Sequence, residues 1–247
     1  LWAAGWLSYH HADYAQTARA GREILRTAPD EDSGNRRNGL TLISIAALAT
    51  EDTDEAIDAA RAALELAEAS GVDWLIATSL LNLGTALRAS GDAGTAVPLL
   101  LQACSKYLEL GDRHFLARTL IELAHCDLVE GREISARTHI KDALGITRSL
   151  GDLWSTAEGL EAAATLCAER VPETAMIIAA AARRIRNQIA MQPHPPDERL
   201  NRDYMEKARL QLDAAVLERA QRRGAAMTVE EALRTAAQVV DALLSGD

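Results

Sequence analysis

Large aromatic side chains are scarce in this chain of 247 residues, which has one Phe, four Trp and four Tyr. Sandwiches and doubly wound sheets lean on Val, Ile and aromatic residues for their cores. Here the 48% hydrophobic content is carried by Ala and Leu, a composition that argues against a sheet and for helices. Cysteine is nearly absent too. Cys104, Cys126 and Cys167 lie in Ala/Leu-rich runs without CxxC spacing, so neither a disulfide framework nor a zinc site is expected. They read as small buried hydrophobes. No run approaches the roughly 18 apolar residues of a membrane span, and "LWAAGWLSYHH" lacks the layout of a signal peptide. The expected location is the cytoplasm. Beginning at Leu1, the sequence reads as a piece cut from a longer chain.

Lysine is the rarest charged residue, confined to positions 106, 141 and 207, and the arginine bias points to a GC-rich bacterial genome. The formal net charge is −10 and the pI near 5.1. Nucleic-acid-binding domains carry a basic face, so direct DNA contact is not expected. Two short basic clusters, Arg183-Arg184-Ile185-Arg186 and Arg219 with Arg222-Arg223, read as solvated helix faces or helix C-termini.

What the sequence has in quantity is a period. Gly71, Gly111 and Gly151 stand 40 residues apart, in "SGVDWL", "LGDRHFL" and "LGDLWST". Gly91 and Gly131 share that step, in "ASGDAGTA" and "VEGREISA". "TEDTDEA" takes the equivalent place one period earlier, and "ERVPETA" one period later with a residue missing. Behind each break stand two alanines seven apart: Ala56/Ala63, Ala96/Ala103, Ala136/Ala143 and Ala175/Ala182. Seven residues make about two helical turns, so each pair shares a face. Every unit then reads as two antiparallel helices, helix A over 73–90 and helix B over 93–110 in the clearest one. Further units centre on 36–70, 113–150 and 153–190, with an earlier one in "GWLSYHHADYAQTARAGREIL". Gly84 sits inside a helix A, where glycine costs about 1 kcal/mol against alanine. With Ser44, Ala124 and Ala164 at matching positions, it lets helix A lie close against its neighbours.

This pattern resembles the tetratricopeptide repeat. The family's Leu-Gly pair matches Leu83-Gly84, its Gly-Asp turn matches Gly91-Asp92, and its helix-B alanines match Ala96 and Ala103. The units run to 40 residues rather than about 34, and Gly111-Asp112 and Gly151-Asp152 replace the proline after helix B. The resemblance covers residues 1–190 and implies an all-α, right-handed superhelix of antiparallel helix pairs. Residues 191–247 are expected to form C-terminal capping helices. "MQPHPPDERLNRDY" breaks the period, Pro196 suits the first turn of a helix reaching about 215, and Thr228 with Glu231 forms a capping box before a final helix. The order of "GDLWSTAEGLEAAA", "ETAMIIAAAARRIRNQI", "PPDERLNRDY" and "GAAMTVEEAL" is similar to the end of the helical-repeat region in large bacterial signal-transduction (STAND-like) ATPases. Many of these carry a LuxR-type helix-turn-helix. Neither the ATPase's phosphate loop nor a helix-turn-helix is present in these residues.

Catalytic signatures are missing: no G-x-x-x-x-G-K-[ST], H-E-x-x-H or G-x-S-x-G occurs. His125 has Glu122 three residues before it but no second ligand at i+4. No enzyme, cofactor or metal is expected. The resemblance implies a concave surface lined by the A helices as the binding face. On it spacing places Trp74, Thr78, Leu81, Thr85 and Arg88, then His114, Arg118, Ile121 and His125, then Trp154 with Glu158 and Glu161. Trp2, Trp6 and Tyr9 extend it. Aromatics and arginine are enriched where proteins recognise partners. Two readings of the lining arginines compete. They await an anionic group of a partner, or Glu158 and Glu161 neutralise Arg118 and the site is structural. The expected function is a sensor and protein-interaction scaffold of a multidomain transcriptional regulator. Its groove would take a peptide, a small effector or the regulator's own ATPase module, with no membrane contact. The alternative is a free-standing adaptor or peptide-pheromone receptor. In an electrophoretic mobility shift assay at physiological salt, the chain should not retain duplex DNA, because its acidic charge repels phosphate.

Overall fold

In the first three helix pairs, two adjacent residues at the turn have separate tasks. At Gly91-Asp92, the Asp92 N–H reaches back to the Leu87 carbonyl at 2.9 Å, closing helix A in a Schellman turn that puts Gly91 at φ 93°. The Asp92 carboxylate then accepts the Thr95 N–H at 3.0 Å and caps helix B. Hydrogen bonds from the Thr95 N–H and the Thr95 side chain pull the Asp92 carboxyl below the usual aspartate range. One period earlier Asp52 repeats both roles, toward Ala47 and Glu55, but Glu51 occupies the glycine position at φ 66°. An L-residue with a side chain is strained in that left-handed conformation by roughly 1–2 kcal/mol.

These stops and starts produce the expected pairs in the computed structural model, which describes residues 1–245. The helices are α1 Trp2–His10 and α2 Tyr14–Thr27, α3 Ser33–Ala49 and α4 Thr53–Ser70, α5 Asp73–Ala89 and α6 Ala93–Leu110, α7 Arg113–Val129 and α8 Glu133–Leu150, and α9 Leu153–Cys167 and α10 Pro172–Ile189. Among the described residues there is no strand. The residue missing before α10 is accommodated by Pro172 at the first turn, where its absent N–H costs nothing. The tail departs from expectation. Rather than one helix to about 215, it forms α11 Pro195–Leu210, α12 Ala214–Ala226 and α13 Val229–Ser245. The extra break comes at Asp213, whose carboxylate accepts the Val216 N–H and starts α12 anew. The Thr228–Glu231 capping box opens α13 as expected, with reciprocal bonds of 2.8 and 3.2 Å.

Two compact units result. The first comprises Leu1–Asp112 with His194–Pro196; the second comprises Arg113–Pro193 with the residues from Asp197 on. The break at 190/191 thus interrupts the repeat rather than the packing: α12 packs on α10, and α13 on α8, α9 and α10. Gly246 and Asp247, the end of the expected cap, lie outside the described residues.

All eight paired alanines are at most 2% exposed. They let long neighbours fill the layer between helices, and Leu100 and Ile140 are completely buried. A Cβ on Gly84 would stand 2.7 Å from Leu100 Cγ, so the glycine admits the helix-B leucine of its own repeat. In the tail, a Cβ on Gly224 would come within 2.0 Å of the Ile177 carbonyl oxygen, which fixes how closely α12 lies on α10. Cys126 and Cys167 are buried, Cys104 is half-buried, and none of the three forms a disulfide. Burial pushes the Cys104 and Cys167 thiols up to about 12, as suits inert packing groups.

Two substitutions report on this geometry. Gly84→Leu should lower stability by about 1–3 kcal/mol, because buried Leu100 has nowhere to move. Glu51→Gly should raise it by up to about 1 kcal/mol by relieving the left-handed strain. Thermal melts followed by circular dichroism distinguish the two directions.

Candidate functional site

The predicted lining divides between the two units, and each part has its own character. In the first unit, Trp74 opens α5 and remains 38% exposed, its indole N–H donating to Asp112 at 3.0 Å. One turn on, the half-buried Thr78 hydroxyl donates to the Trp74 carbonyl and accepts from the Tyr107 hydroxyl. Leu81, Thr85 and Arg88 are buried, at 2%, 5% and 6% exposure. They belong to the packed length of the helix, so the accessible part of this face is its N-terminal turn and a half.

In the second unit the residues converge. Arg118, Glu122 and His125 recur at four and three residues along α7 and therefore share one face. Glu158 and Glu161 do the same on α9. The Arg118 guanidinium donates to Glu158 Oε1 at 2.6 Å, to Glu122 Oε1 at 3.2 Å and to Asp197 Oδ2 at 3.3 Å. Asp197 lies in the first turn of α11, where the helix dipole favours a negative group. Alongside, Arg186 from α10 grips Glu161 with two parallel bonds of 2.9 and 2.8 Å and stands 5.9 Å from the centre of the Trp154 ring. His114 Nδ1 is 2.8 Å from the Ser155 hydroxyl, and Ile121 joins the apolar core with Ala124 and Leu160.

Four carboxylates thus meet two guanidiniums away from water. Burial holds the Glu161 carboxyl above the usual glutamate range, with the Arg186 guanidinium working against that shift. Such a cluster survives because each charge has a charged hydrogen-bond partner; removing one partner strands the others. Of the two readings of Arg118, the geometry favours the one in which a glutamate of α9 neutralises it. Glu158 is that glutamate. Glu161 pairs with Arg186 instead.

Sequence reasoning placed Arg118, His125 and Glu158 on this face and missed three members. Glu122 was legible, four residues from Arg118 on the same side. Arg186 lies in the last turn of α10, one of the two places expected for its cluster, but at 5% exposure it is buried rather than solvated, while Arg183 is on the exposed side of α10. Asp197 carried only the signal of a helix start after two prolines. Nothing local announces that it returns to α7.

The family model for the tetratricopeptide repeat matches residues 36–109, from α3 through α6. The chain carries a tetratricopeptide-type helical repeat region. Helix pairs of similar length continue beyond the match through α7 to α10. Comparison with curated proteins gives no match. No described helix is long and apolar enough to cross a membrane. Tetratricopeptide-type regions serve as protein-interaction scaffolds.

Arg118→Ala should lower stability by about 3–5 kcal/mol, the usual penalty for breaking a buried ion pair. Arg118→Met with Glu158→Gln together should cost less than Arg118→Ala alone, since Glu158 is then no longer a buried charge without its partner and the Met side chain fills the space. Urea denaturation of the two variants tests the order.

Proposed function

We propose that this chain is the sensor and interaction scaffold of a multidomain bacterial transcriptional regulator, non-catalytic itself, whose A-helix faces receive a segment of the regulator's own ATPase module. The observation that carries this reading is the way α11 sits in the second unit. A polar helix of the chain lies along α7 and α9 and presents a carboxylate, Asp197, to Arg118. Its inward stripe of Asn201, Tyr204 and Ala208 follows helical spacing, and the Tyr204 hydroxyl donates to the Leu128 carbonyl. An A-helix face of this protein therefore has the chemistry to hold a helix by charge and hydrogen bonds more than by apolar area. In the first unit, the corresponding accessible groups are Trp74 and Thr78, an aromatic anchor beside a hydroxyl. Interfaces concentrate binding energy on such anchors. The order of the tail segments, similar to that of signal-transduction ATPases, supports placing the scaffold in that kind of protein.

The test begins with the gene. The reading frame around this chain should encode a phosphate-binding loop upstream or a helix-turn-helix downstream. The encoded ATPase module, produced separately, should co-elute with this chain on gel filtration. Trp74→Ala with Thr78→Ala should weaken that complex at least tenfold while circular dichroism stays unchanged. A reading frame lacking both modules, or an ATPase module that elutes apart from the chain, overturns the proposal.

A further inference from the structure

The buried cluster of the second unit has a corner that its ion pairs leave incomplete. His125 is 4% exposed, and its Nδ1 makes no hydrogen bond. That nitrogen lies 3.4 Å from Asp197 Oδ1, near enough for a contact but off the line a hydrogen bond requires. Glu122 is fully buried one turn before His125 on the same face of α7. One donor atom from each of the three residues falls within 4.8 Å of the others.

From this geometry we infer that Glu122, His125 and Asp197 form a binding site for a divalent transition-metal ion, which ties α11 to α7.

Two features support it. First, a buried imidazole nitrogen stands beside a carboxylate oxygen with no hydrogen bond between them. A tetrahedral ion with ligand bonds of about 2.1 Å sets its ligands about 3.4 Å apart, and His125 and Asp197 already stand at that separation. Second, Arg118 binds Asp197 through Oδ2 and leaves Oδ1 on the histidine side. Hydrogen-bonded carboxylates that are oriented by a neighbouring group are the common form of metal ligand. One imidazole and two carboxylates suit Zn²⁺ or Mn²⁺ over the oxygen-only coordination of Ca²⁺ and Mg²⁺. The side chain of Asp197, 16% exposed, marks the route by which an ion enters.

The experiment uses the whole chain, stripped with a chelator and dialysed. Competition against a chromophoric chelator should show one equivalent of Zn²⁺ bound, and Zn²⁺ should raise the melting temperature where Mg²⁺ does not. Co²⁺ should give the intense visible absorption of a four-coordinate site. His125→Phe keeps a ring in place and Asp197→Asn keeps an acceptor for Arg118; each should weaken Zn²⁺ at least about tenfold. His10→Ala with His11→Ala, and His139→Ala, should leave binding unchanged. The inference is overturned if the wild-type chain binds no stoichiometric Zn²⁺. It is equally overturned if binding survives in folded His125→Phe and Asp197→Asn, or follows His10, His11 or His139 instead. Should either ligand variant fail to fold, the wild-type Co²⁺ spectrum decides, and the pale spectrum of six-coordinate Co²⁺ rejects the site.

Discussion

Close approach between helices is the constraint on which the rest of this structure depends. Where two helices lie near enough for main chain to meet side chain, the crossing tolerates only a hydrogen atom or a methyl group, and the sequence obeys. Alanine pairs line helix B in every repeat, Gly84 meets Leu100, and Gly224 lies against the Ile177 carbonyl. Small residues at the crossings leave the volume between them for leucine and isoleucine, which accounts for a core with so few aromatics. The low aromatic content is therefore a property of the packing geometry rather than a weakness of the core.

Against that apolar background, the second unit gathers Arg118, Glu122, Glu158 and Arg186 into one cluster of buried charge. Arg118 and Glu122 take helix positions that carry the uncharged Thr78 and Asn82 one period earlier, and Glu158 takes the position of Arg118 itself, which shows how freely those positions vary. Ionic contacts demand geometry that apolar contacts do not, because an unpaired buried charge is far costlier than a poorly packed methyl. A cluster of this kind selects one placement of α11 over others that would bury equal area. It acts as a specification of position more than as a source of stability.

The fold was legible because its signals are local. Gly-Asp pairs, alanines two turns apart and the Thr228–Glu231 box each describe a stretch of a few residues, and each appears in the structure where the spacing puts it. The helix that was missed, α12, begins at Asp213 with the same kind of cap as its neighbours, but it falls outside the period that made the others visible. The site was legible only in part. Helical spacing assigned Arg118, His125 and Glu158 to one face, since that inference needs no knowledge beyond the turn. It could not separate Thr85 and Arg88, which are buried, from Trp74, which is not, because exposure depends on what packs above a face. Asp197 lies 79 residues from Arg118, and no pattern within a helix connects them.

The two-residue turn between paired helices has a consequence for how the chain folds. Because Gly91 and Asp92 end one helix and begin the next through contacts within five residues, each hairpin can form before its neighbours exist. Contacts that are local in sequence make for fast folding, and in linear repeats stability is approximately a sum over units and their interfaces. Nucleation is then free to start at whichever hairpin has the best turn, with growth proceeding outward one helix at a time. The contact from Asp197 to Arg118 stands apart from this scheme, since it closes a long loop and must wait until α7, α9 and α10 are in place. Folding of the second unit accordingly has a late step, the docking of α11, made from charged groups that have already paired among themselves.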